Sequence, residues 1–223
     1  MRKVLACVLA ATAFTGCAHK KHVSRTPPSP TVAPPLVSEI KPGYTETGIA
    51  SWYGHPYHGR AAADGEIYDM ETLVAAHRTL PFNTWVRVVN LSCGKSVDVR
   101  IIDRGPFVDG RIIDLSHAAA RAIDMVGPGI APVRMEVIRP PQNAPPAIFG
   151  VQVGAFRNRV NAEQIRAEMA GRYGSAQLVE RADTPNLWRV VVGSETTQEA
   201  ATALSARIQQ ETGEKNAFVI RLN

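Results

Sequence analysis

Residues 97–116 read VDVRIIDRGPFVDGRIIDLS. Apolar and polar residues alternate as far as Ile102, the period of a half-buried β-strand. Asp103 follows, and Gly105-Pro106 then stops the strand. A second short apolar run, Arg111–Leu115, ends in an acid of its own, Asp114. Two strand signals joined by so tight a break argue for an all-β unit with its turns close together. They leave open whether Asp103 is a turn-forming acid or a reactive group, since Asp-Arg-Gly is a natural turn by itself.

Working outward, further short strands are expected at Gly48–Tyr53, Leu73–Ala76, Thr84–Asn90 and Val133–Arg139, beside Ser96–Asp103 and Arg111–Leu115. Turn signals separate them: YGHPYHGR, ADGE, LPFN, SCGK and VGPG. One helix is expected over 117–125, with Ser116 as its cap. Six strands in residues 44–139 predict a small closed barrel. Glu66, His77, Asp103 and Asp114 all fall at strand ends. Asp114 is expected to brace the turn into the helix rather than to react.

The N-terminus begins with a basic start and an apolar run from Val4 to Phe14. That run is shorter than the roughly 20 residues that span a bilayer. It reads as an export signal over 1–16. Thr15-Gly16-Cys17 resembles a lipobox, which implies that the signal is cut before Cys17 and that Cys17 is the lipidation site. The segment 17–43 contains TPPSPTVAPP, an extended spacer. Cys93 is then the one cysteine left in the folded part, so neither an internal disulfide nor a metal site is expected, and no cofactor. The formal charge of +5 lies in residues 1–43, which hold six bases and one acid. Residues 44–139 hold ten bases and eleven acids, and 140–223 nine and eight. Neither folded region has the cationic excess of a nucleic-acid-binding surface.

After a second linker at 140–147, the chain repeats itself. VQVG (151–154) matches VVVG (190–193), and Gly174 matches Gly213 at the same offset. Apolar positions at helical spacing lie between each pair. With strands at Ala176–Glu180 and Ala217–Arg221, residues 148–223 predict a βαββαβ unit of ferredoxin or RNP type. Two helices cover one face of a four-stranded sheet and leave the other open. Gln152, Trp188 and Arg189 are the candidate ligand contacts, with Trp188 and Arg189 on opposite faces.

GIASWYG (48–54), HGR (58–60), ADGEIYDM (63–70), AAHRTLPF (75–82) and VRIIDRGPFVDGRIIDLSHAAA (99–120) resemble the RlpA (rare lipoprotein A) family. FGVQVGAF (149–156) and LWRVVVG (187–193) resemble a SPOR domain. The resemblance implies a mainly β six-stranded double-psi β-barrel followed by an α+β SPOR domain. It implies a lytic transglycosylase acting on peptidoglycan, with Asp103, Glu66 and His77 as catalytic residues. Tyr53 and Tyr57 would offer faces to sugar rings.

The substrate implied is glycan strands stripped of stem peptides. The place implied is the division septum, with the chain lipid-anchored, in the outer membrane facing the periplasm, and with divisome proteins as further partners. Chemically, one carboxyl suffices. It protonates the glycosidic oxygen, then takes the proton of the muramic acid C6 hydroxyl as that hydroxyl closes a 1,6-anhydro ring. An expansin-like barrel that binds glycan without cutting it is the alternative, and a purely structural envelope lipoprotein a third.

Overall fold

The computed structural model describes residues 40–180 and 186–223. The export signal, Cys17 and most of the Pro-rich spacer lie outside the described residues. Six strands close a barrel: β1 (Thr45–Tyr53), β2 (Val74–Ala76), β3 (Trp85–Asn90), β4 (Ser96–Asp103), β5 (Arg111–Ser116) and β6 (Ile130–Arg139). Their order around it is β1-β5-β2-β4-β3-β6. The alternation read from the sequence becomes the two sides of the wall. Val86, Val88, Val99, Ile101, Ile113, Leu115, Met135 and Val137 point inward and are fully buried or nearly so. Between them the polar partners face out, as in Arg87 of β3 opposite Asp98 of β4, paired at 2.7 Å.

Two strand pairs, β1/β5 and β2/β4, are parallel, which no hairpin can produce. At Gly48 a Cβ would lie 2.6 Å from Ile112 Cγ2, so β1 and β5 approach there only because the side chain is missing. Helix α1 (His117–Ala122) follows β5 directly, and the Ser116 hydroxyl accepts from Ala119 N at its start. It ends three residues short of the expected boundary.

The C-terminal sheet has the order β10-β7-β9-β8. Its strands are β7 (Phe149–Phe156), β8 (Ala176–Glu180), β9 (Trp188–Glu195) and β10 (Phe218–Arg221). Helices α2 (Arg159–Tyr173) and α3 (Gln198–Thr212) start at Asn158 and Thr197, whose side chains accept from backbone N–H groups of the first turn. Gly174 and Gly213, the repeated glycines, end them. Ala162, Met169 and Ile208 pack on Val151, Val190 and Val192, which makes one face the core.

The opposite face is not open, and here the sequence-based expectation is corrected. Gln152, Val191 and Phe218 on it are buried. Phe107 of the barrel meets Phe218 with ring centroids 6.3 Å apart. Ala63, Phe82 and Arg104 share a small cavity with Gln152, Val191 and Ile220. The physical reason is the composition of that face. Val191, Phe218 and Ile220 left in water would forgo about 25 cal/mol for each Å² of apolar surface, and the barrel loops offer Phe82 and Phe107 to cover them.

Candidate active site

Strand register builds the site. Ser51 of β1 pairs with Asp114 of β5, Asp114 pairs with Ala76 of β2, and Ala76 pairs with Asp103 of β4. Residues in register across a sheet share a face. The row Ser51–Asp114–Ala76–Asp103 therefore runs across four strands, with two carboxyl groups on either side of a methyl side chain. An irregularity between Ala75 and Ala76 in the β2/β4 pairing brings Asp103 to that register. The small Ala76 leaves room, and a cavity of about 440 Å³ lies over the row, lined by Asp103, Asp114, Ser51 and Ala76.

Asp103 is half-buried at the cavity wall. Its Oδ1 accepts from Ala63 N at 3.1 Å and Arg104 N at 2.7 Å, and these fix the carboxyl from two loops. The chain turns away at Gly105, whose φ of 150° suits glycine. A Cβ there would meet Asp114 Oδ2 at 3.5 Å and Ala76 Cβ at 3.8 Å. The Gly-Pro break thus lets the loop fold back over the row.

Asp114, expected from the sequence to brace the turn into the helix, shares the row and lines the cavity. Burial pushes its carboxyl above the ordinary range and the nearby Asp103 charge adds to this, while a hydrogen bond from Ser51 Oγ and the Arg111 guanidinium pull the other way. Arg111 Nη2 lies 3.4 Å from Asp114 Oδ1. The net direction is upward, toward a protonated acid. Its only sequence signal was RIIDLS, an acid two residues before a helix cap, which reads as a brace.

The other expected catalytic residues lie elsewhere. His77 is buried and does not line the cavity. Nε2 is 3.2 Å from Glu46 Oε2, and Nδ1 accepts from Thr79 N and Leu80 N. That pattern requires the proton on Nε2. Its link to the aspartate is through the backbone, His77 N donating to Asp103 O at 3.0 Å. Glu66 is exposed and holds Arg100 in a two-pronged pair at 2.8 and 2.7 Å. Those hydrogen bonds from Arg100 hold its carboxyl below the usual carboxylate range, and so charged.

Tyr53 and Tyr57 do line the cavity. Tyr53 stacks on Tyr68 at 4.2 Å, while Tyr57 is 46% exposed. On the C-terminal sheet, Arg189 lines the same cavity, with its guanidinium over the Phe107 ring. Gln152 faces the barrel. Trp188 lies on the helix side, under the Arg159 guanidinium at 4.7 Å, so the two neighbours do point to opposite faces.

A family model described as lytic transglycolase matches residues 45–135, and a SPOR domain model matches 145–221. The chain is 38% identical over 189 residues to the Vibrio cholerae "Endolytic peptidoglycan transglycosylase RlpA", spanning 81% of this chain and 71% of that one. It is 54% identical over 104 residues to the protein of the same name from Neisseria meningitidis serogroup A, 47% of this chain and 44% of the other. An expansin from Clavibacter michiganensis, at 23% identity and a TM-score of 0.36, covers 51% of this chain and 59% of that one. With a double-psi barrel in front of a SPOR domain, and with a relative matched along most of both chains, this chain belongs to the RlpA family.

Proposed function

We propose that the chain is an endolytic transglycosylase that cuts the bond between N-acetylmuramic acid and N-acetylglucosamine in peptide-free glycan strands and leaves 1,6-anhydro ends. The observation that supports this best is the Asp103–Asp114 row under one cavity. The reaction needs a proton delivered to the glycosidic oxygen and a proton taken from the C6 hydroxyl, which attacks the anomeric carbon in place of water. Burial raises the affinity of Asp114 for a proton, and the Asp103 charge beside it adds to this. Asp103, fixed by two backbone donors, is the group that works against the reacting oxygens, and buried Asp114 is the reservoir that keeps the proton on the pair. His77 and Glu66 position the loops that carry Asp103. Tyr53 and Tyr57 give flat faces to the sugar rings. The SPOR domain would carry the enzyme to peptide-free strands at the septum, and Cys17 would tether it to the membrane.

The substrate reading is tested by offering glycan strands before and after amidase treatment. Fragments should be released from the treated strands and not from the peptide-bearing ones. Equal release from both would remove the stated preference.

The pair also sets the pH dependence. Activity carried by a protonated carboxyl is present at low pH and lost as pH rises through its raised pKa. The alkaline limb of kcat/KM should therefore lie above the ordinary aspartate value of about 3.9. Arg111 lowers Asp114, so Arg111→Gln should move that limb upward. A limb that stays in place or moves down would separate Asp114 from the proton.

A further inference from the structure

The cavity over the aspartate row has two walls from different domains. The barrel supplies Asp103 and Asp114, and the C-terminal domain supplies Arg157, Leu187 and Arg189. The two walls are held together by built contacts. Arg104, in the Asp103 loop, donates to Arg221 O at 3.0 Å and Asn223 O at 3.1 Å, and Arg221 N donates to Arg78 O at 2.9 Å. Arg189 is aimed by Phe107, whose ring lies 5.9 Å from its guanidinium carbon. The loop that holds the proposed reacting carboxyl is thus also the loop that seats the cationic wall.

Such an arrangement has a chemical use. Removing a stem peptide from muramic acid turns its lactyl amide into a free carboxylate, one negative charge per muramic acid. A strand of that kind entering a cavity with two carboxyl groups meets like charge. A cationic wall across the cavity offsets the repulsion, and a guanidinium fits a carboxylate through two parallel N–H donors. A peptide-bearing strand has an amide at the same place and gains nothing from the arginines. We propose that Arg157 and Arg189 form a carboxylate-reading subsite for the free lactyl group, so that the C-terminal domain sets substrate choice at the cutting site itself. The inference rests on the peptide-free substrate reading above.

The test uses the full chain carrying Asp103→Asn, which prevents turnover, and measures affinity by calorimetry. The probes are peptide-free glycan oligosaccharides and the same oligosaccharides with their lactyl carboxylates converted to methylamides. The native probe should bind at least tenfold more tightly. The added double change Arg157→Gln/Arg189→Gln should bring both probes to the affinity of the methylamide. Arg157 is exposed, so Arg157→Gln alone leaves the fold intact and should remove part of the preference, roughly threefold. Equal affinity for the two probes in the parent, or an undiminished preference in the double variant, overturns the subsite. Products from the chain with Asp103 intact are scored separately. If it cuts neither probe while the native probe is still preferred, the transglycosylase reading fails and the subsite stands.

Discussion

Asp103→Asn should leave the barrel folded and lower kcat/KM on peptide-free glycan by about 10²–10⁴-fold, the usual worth of a positioned acid–base group. The substitution keeps an oxygen for the Ala63 and Arg104 N–H groups and removes only the titrating function. Thermal unfolding should change little, which separates loss of chemistry from loss of structure. Asp114→Asn keeps an acceptor for Ser51 and should also lower the rate, by a smaller factor, because a neutral amide no longer keeps a proton on Asp103. The stability consequence has the opposite sign. A buried acid with a raised pKa binds its proton more tightly folded than unfolded, so ionising it weakens the fold as pH rises from its unfolded to its folded value. Asp114→Asn should remove that loss. Full activity in Asp103→Asn would take the reacting carboxyl out of the account.

The largest expected stability effect lies one residue further on. Arg104 is buried, donates to the carbonyls of Leu80, Arg221 and Asn223 at 3.0 to 3.1 Å, and holds its guanidinium carbon 3.6 Å from the Phe82 ring centroid. Arg104→Met keeps the length of the side chain and deletes its donors to Leu80 O and Arg221 O, while Asn223 O keeps the Arg221 guanidinium at 2.9 Å. The cost should be about 3 kcal/mol or more, read as a lower denaturant midpoint. The unfolding of barrel and C-terminal sheet should also separate into two transitions, because this side chain ties them. A single transition at the original midpoint would show that Arg104 does not hold the domains together. If the two walls act as one site, the same variant loses cutting activity even where each domain remains folded.

Much of this fold could be read from the chain. All six barrel strands fall where alternation and turns put them, and Ser96–Asp103 matches end to end. Alternation records which side chains a wall buries, and it survives in any register. It does not record which strand lies beside which. The row from Ser51 to Asp103 joins residues far apart in sequence through two parallel pairings, and no local pattern specifies those. Asp114 was therefore legible only as a neighbour of the cap Ser116.

The same limit hid the covered sheet face. Val191 and Phe218 read as strand residues whose outward side could be solvent, and only the barrel loops packed on them show otherwise. His77 shows the converse limit. A histidine at a strand end suggests chemistry, yet its ring is spent on Glu46 and two backbone donors, and what reaches Asp103 is a backbone N–H.

In the proposed reaction a substrate hydroxyl, and not water, attacks the anomeric carbon beside the Asp103–Asp114 row. Cleavage of peptide-free glycan in ¹⁸O-enriched water tests it most directly, with the new ends analysed by mass spectrometry. The new ends should be 1,6-anhydro ends that carry no ¹⁸O. Reducing ends labelled with ¹⁸O would contradict it and make the enzyme a hydrolase.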